Sequence, residues 1–190
     1  MTKRVEAIAG AHPRIGIVLP VGGCSPCVVV TNILPVSFPE QSEAVSPDGR
    51  YAIVGTDRDK EPYHTVFLED RSLKTRRKLF NYDRHIVVLW KSDSKLVAVT
   101  NYVGSDSSQC SIVSVDEKVE PIQVLELLSH QLSEDTWNQL KRGLGNHHAY
   151  VEASVWDGPA SLPVKISGYG DADPAGFAAF YEVLLPGGKP

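Results

Sequence analysis

Ser46-Pro47-Asp48-Gly49-Arg50-Tyr51-Ala52-Ile53-Val54-Gly55 is echoed 45 residues later by Lys91-Ser92-Asp93-Ser94-Lys95-Leu96-Val97-Ala98-Val99-Thr100. Asp48 corresponds to Asp93, and Arg50 to Lys95. Each copy is a polar turn that runs into a strand apolar on both faces. Pro47 presets φ, Asp48 can bond back to the backbone, and Gly49 tolerates a positive φ. Pro47, Asp48, Gly49 and Asp93 are therefore read as structural turn residues. A period of this size, carrying several short strands, is the mark of β-propeller units or related meanders.

Two related units follow from the echo, over residues 45–80 and 90–116. In the first, Tyr51 to Val54 is a strand, His64 to Leu68 the next, and Ser72 to Phe80 a more exposed one. Ile86 to Trp90 leads into the second, which continues with Leu96 to Val99 and Cys110 to Val115. Strands that are apolar on both faces imply sheets covered on both sides. No third copy appears, and a closed propeller needs at least four. At the next step of 45 the chain reads Asn138-Gln139-Leu140-Lys141 and is helical. Over 133–144, Ser133 serves as N-cap, Glu134 and Asp135 occupy the first turn, and Trp137, Leu140 and Leu144 share one face. Residues 149–186 form a meander of another kind: Val151, Ala153 and Val155 alternate with Glu152, Ser154 and Trp156. Phe177 to Leu185 is a longer apolar strand broken only by Glu182. The expected fold is mainly β, with eight or nine strands in antiparallel propeller-like or sandwich-like meanders and one short helix. Residues 36–190 are read as one domain.

The phrase at Ser46 to Ala52, with its echo around Trp90 to Val99, resembles the WD-like repeat of TolB-type β-propellers over about a third of the chain. The resemblance implies a blade turn built around a structural Asp, and a domain that serves as a protein-binding platform. Ser46 to Tyr51 also resembles the loops with which bacterial lysozyme inhibitors plug an active site.

Residues 1–35 read as a leader or a poorly ordered segment. From Ile15 to Pro39 there is no Asp, Glu, Lys, Arg or His, and Lys3, Arg4 and Arg14 precede the stretch. That arrangement resembles an export signal, whereas Pro20, Pro26 and Pro35 argue against a membrane-spanning helix. Val21-Gly22-Gly23-Cys24 resembles a bacterial lipobox, which makes Cys24 a lipidation candidate and the membrane a partner only through an N-terminal anchor. The expected location is the periplasm or cell envelope, with the cytoplasm as alternative. Cys24 and Cys27 have the spacing of a redox or metal pair. The β-branched run Val28-Val29-Val30-Thr31 disfavours the helix that would activate a thiol. Cys110 alone does not complete a zinc site.

The 190 residues are 22% charged and 42% hydrophobic, ordinary for a globular chain, and the net charge of -4 offers nucleic acid no basic footprint. Thirteen prolines and fifteen glycines suit a fold with many turns. Lys74, Arg76, Arg77 and Lys78 read as a solvated strand beside Glu69, Asp70 and Asp83. No G-x-S-x-G, P-loop, H-E-x-x-H or dinucleotide fingerprint occurs, so no cofactor and no catalytic residues are assigned. Asp171 and Asp173 are read as turn carboxylates, too few for calcium and leaving no metal assigned. The preferred expectation is a non-enzymatic module that binds a protein through loops or a sheet edge, as an inhibitor or immunity-type protein. The alternative is a hydrolase-like enzyme or a fragment related to a propeller-bearing peptidase, which would bring His64, His85 or His147 and His148 beside a carboxylate and a nucleophile.

Overall fold

Both echoed phrases form hairpin turns with the same hydrogen bonds. Ser46 N–H donates to Tyr51 O at 2.8 Å, and Lys91 N–H donates to Leu96 O at 2.9 Å. Asp48 accepts the N–H of Arg50, and Asp93 that of Lys95, each at 3.0 Å. Gly49 has φ +73°, and Ser94, its counterpart, has φ +60°. Each turn thus joins two antiparallel strands at the same point.

This geometry comes from a computed structural model that describes residues 33–56, 63–116, 118–145, 147–156, 161–171 and 173–185. All of them belong to one compact unit beginning at Thr31. The readings of a leader, of an export signal, and of Cys24 and Cys27 fall on residues 1–32, apart from its last three positions, and so lie outside the described residues. The polar connection at 57–62 does too.

Twelve strands and two helices are present among the described residues. β1 (Val36–Phe38) and β2 (Glu43–Val45) are followed by β3 (Tyr51–Thr56), β4 (His64–Asp70) and β5 (Thr75–Tyr82). Next come β6 (His85–Trp90), β7 (Leu96–Tyr102), β8 (Gln109–Ser114) and β9 (Ile122–Gln123). After α1 (Val124–Gln131) and α2 (Glu134–Leu144), the chain ends in β10 (His148–Ala153), β11 (Ser161–Gly170) and β12 (Asp173–Leu184). The first sheet has the order β2-β3-β4-β5, the second β1-β6-β7-β8-β9, and the third β10-β11-β12. All pairings within them are antiparallel. The protein is mainly β, with more strands than the eight or nine counted from sequence because β1, β2 and β9 have two or three residues each.

The second sheet is the middle layer. Ile86, Val88, Trp90, Val97, Val99 and Val113 belong to a core shared with Ile53, Val66 and Leu68 of the first sheet. Leu89, Ala98, Cys110 and Ile112 point the other way, into a core shared with both helices and the third sheet. That explains why β6 and β7 are apolar on both faces. Two indole N–H groups tie the layers together: Trp90 donates to Ala44 O in β2 at 2.9 Å, and Trp156 to Leu89 O in β6 at 3.0 Å.

α2 forms as its sequence directs, with the Ser133 hydroxyl capping Thr136 N–H and Leu140 buried. α1 is a helix the sequence did not announce. Its N-cap is Gln123, whose side chain makes no capping bond, and packing of Val124 and Leu128 holds it instead. The alternation expected from Val151 to Trp156 breaks after β10 ends at Ala153. Val155 is exposed, whereas Trp156 turns back to cover Leu89.

Candidate functional site

The third sheet has two unlike edges. β10 is closed by its neighbours: Ala149 N–H donates to Asp106 O, and Ser108 N–H to Ala149 O. Val151 N–H donates to Ser108 Oγ, and Ala153 N–H to Thr100 Oγ1. Those bonds use the outward groups of Ala149, Val151 and Ala153. β12, the longest strand, pairs only with β11.

Which groups β12 leaves outward follows from the ladder. N–H and C=O of one strand residue point to the same neighbour, and alternate residues point to opposite neighbours. Because Val151 turns its groups away from β11, its partner Ile166 turns away from β10 and bonds to Ala179 in β12. Ala178, Phe180, Glu182 and Leu184 must then face the free edge. Gln131 checks this assignment independently: its amide donates to Leu184 O at 2.7 Å and accepts Leu184 N–H at 3.0 Å, as a neighbouring strand residue would. Beyond that cap, Ala178, Phe180 and Glu182 present three N–H and three C=O groups with no ladder partner among the described residues.

The side chains agree. Phe180 is 72% exposed and Leu184 55% exposed, while Val183 between them is buried. Phe177 faces inward and lies over Gly143 of α2 and Gly168 of β11. Across the sheet, Phe180 stands beside Lys165, which stands beside Glu152. Lys165 Nζ and Glu152 lie 3.6 Å apart.

Glu152 also accepts the Tyr102 hydroxyl at 2.6 Å. Burial, followed by the Glu152 carboxylate, pushes the Tyr102 phenol far up, so it stays a proton donor. His85 stacks on Tyr102 with centroids 4.0 Å apart. His148 stacks on Tyr169 at 4.1 Å and its Nδ1 lies 3.3 Å from the Tyr150 hydroxyl, and His147 meets it edge-on. His64 stacks on Tyr82. Of these rings, His148, Tyr150 and Tyr169 lie on β10 and β11 of the third sheet, His85 and Tyr102 on β6 and β7 of the second, and His64 and Tyr82 on β4 and β5 of the first.

Cys110 is buried, and burial pushes its thiol up to about 12. Its side chain is inert at neutral pH. Asp173 accepts Gly176 N–H at 3.2 Å and so acts as a turn residue. Among the described residues, no group of three or more His, Cys, Asp or Glu is placed to hold a metal ion. Nor is any helix there long and apolar enough to cross a membrane. A cleft of about 260 Å³ opens between the first two sheets, where Asn101, Gln109, Ser111 and Gln123 face Leu79 and Phe80. Asn101 Oδ1 lies buried there without a partner.

Pro47, Asp48, Gly49 and Asp93 lie in the two turns, away from the third sheet. Sequence reasoning marked Phe177 to Leu185 as an apolar strand but gave it no role. The signal was present, eight uncharged residues from Pro174 to Tyr181, although its place at a sheet edge depends on strand order. No known protein family matches the chain, and no curated protein does.

Proposed function

We propose that this chain is a non-enzymatic protein-binding module that acts through the open edge of its third sheet. The observation that carries the reading is the contrast between the edges. Side chains and a loop close β10, while β12 leaves Ala178, Phe180 and Glu182 unpaired beside an exposed phenyl ring. Soluble proteins blunt such edges with charge, proline or bulges, because an open one invites another strand. β12 has no charge between Asp173 and Glu182. Strand addition is a recurrent mode of peptide recognition, with backbone bonds supplying affinity and alternate side chains supplying specificity.

The hydrolase reading draws less support, since His85, His147 and His148 contact tyrosines and each other. The TolB-type relationship belongs to the same proposal: the first two sheets would be two propeller-type units, and the shared turn hydrogen bonds support it. An envelope location rests on the charge-free stretch from Ile15 to Pro39, and an inhibitor role on the resemblance of Ser46 to Tyr51 to the loops of lysozyme inhibitors.

The test is differential capture from the native cell, with intact chain and with Phe180→Pro as baits. Proline removes the outward N–H of Phe180 together with its exposed ring, leaves the bonds to β11 in place, and is tolerated at such an edge position. A stoichiometric partner held by the first bait and lost from the second supports the reading. Identical capture by both sinks it.

A further inference from the structure

We infer that the occupant of the β12 edge is an extended protein segment that pairs antiparallel with Ala178 to Glu182 and carries a basic residue opposite Glu182; this rests on the edge reading above. Two observations set its chemistry. From Ile166 to Leu185 the chain has three carboxylates, Asp171, Asp173 and Glu182, and no Lys, Arg or His. Lys165, the nearest cation across the sheet, is already engaged by Glu152. The edge is therefore acidic at both ends and apolar in the middle.

The window has defined ends. Gln131 occupies Leu184 at one end. At the other, Gly176 has φ +62° and gives its N–H to Asp173. Between them Ala178, Phe180 and Glu182 admit a segment of five or six residues, each pairing two backbone groups. On the solvated face, residues opposite Glu182, Phe180 and Ala178 share one side of the added strand. Opposite charge suits the first, an aromatic or branched side chain the second, and a small polar one the third. A second copy of β12 fits less well, because it would bring an acidic, cation-free strand against another.

Acetyl-Lys-Val-Tyr-Val-Thr-Val-amide is the probe, with a second peptide in which Glu replaces Lys. Binding is followed by the backbone amide NMR signals of Ala178, Phe180 and Glu182 in wild type and Glu182→Lys, and of Ala178 and Glu182 in Phe180→Pro, where position 180 has no amide proton. The lysine peptide is expected to bind wild type about fivefold more tightly than the glutamate peptide. The preference reverses in Glu182→Lys, and both peptides are lost in Phe180→Pro. Equal affinity for both, lost in Phe180→Pro, overturns the basic partner while leaving the edge reading intact. If neither peptide moves the three amides, both fail. A wild-type dimer in sedimentation that Phe180→Pro converts to monomer overturns the inference in favour of a second copy.

Discussion

Ser94 Oγ accepts the N–H of Asp48 at 3.0 Å, so the turn of the second sheet is bonded to the turn of the first. Ser94 is buried and holds φ +60°, where glycine is at ease and serine is not. Two effects therefore oppose each other at one residue. Ser94→Ala removes the acceptor and keeps the strain, for a loss of about 1 kcal/mol. Ser94→Gly removes both, and relief of about 1 kcal/mol in the left-handed region offsets the lost bond. Urea midpoints should place Ser94→Gly near wild type and Ser94→Ala below both. Equal losses would mean that the turn carries no backbone strain.

Gly143 lies within α2, where alanine is ordinarily better by about 1 kcal/mol. Here a Cβ would stand 2.3 Å from the Phe177 ring. Something must shift, and overpacking of this kind costs about 1–3 kcal/mol. Gly143→Ala should therefore lower the melting temperature, and adding Phe177→Leu should recover part of the loss. A melting temperature raised by Gly143→Ala alone would show that the ring is not packed tightly against the helix.

The parts of the fold legible in sequence were those written in local chemistry. Ser46-Pro47-Asp48-Gly49 announces its turn, Ser133 announces α2, and the double-faced apolar run from Val97 to Val99 announces a sheet covered on both sides. α1 was hidden because Gln123 gives no start signal, and burial of Val124 and Leu128 comes from strands far along the chain. Val155 and Trp156 mislead for a related reason: alternation holds only while a strand lasts, and β10 stops at Ala153. The candidate site was the least legible part. Phe180 and Glu182 read the same in a central strand as in an edge strand, and only the pairing order and the Gln131 amide separate the two.

Asp70 anchors the hairpin between β4 and β5. Its carboxylate accepts the Ser72 hydroxyl at 2.5 Å, the Ser72 and Leu73 N–H groups, and Arg50 Nη2 at 3.0 Å. The Ser72 hydroxyl is the largest influence, and the set holds the acid at about 2. An unfolded aspartate titrates near about 3.9. Its contribution is thus complete above about pH 4 and is lost as the pH falls toward 2, because the unfolded chain takes up the proton first. Denaturant midpoints between pH 5 and pH 2 should fall more steeply in wild type than in Asp70→Asn. Parallel curves would remove Asp70 from the acid limb.

Cys110 provides the opposite limb. Burial raises its thiol from 9.0 to about 12, against smaller opposing contributions from Thr100 and the Ala153 backbone. Between those values the unfolded chain releases the proton and the folded chain keeps it, so stability falls as the pH rises above 9. One group of this kind contributes a slope of about 1.4 kcal/mol per pH unit. Cys110→Ala should lose that slope while being less stable at pH 7, where the cavity alone counts. In a chain with Cys24→Ser and Cys27→Ser, a thiol reagent at pH 8 should leave the native protein unlabelled and modify one thiol after unfolding in urea. Prompt labelling of the native chain would show that β7 and β10 do not seal Cys110 from solvent.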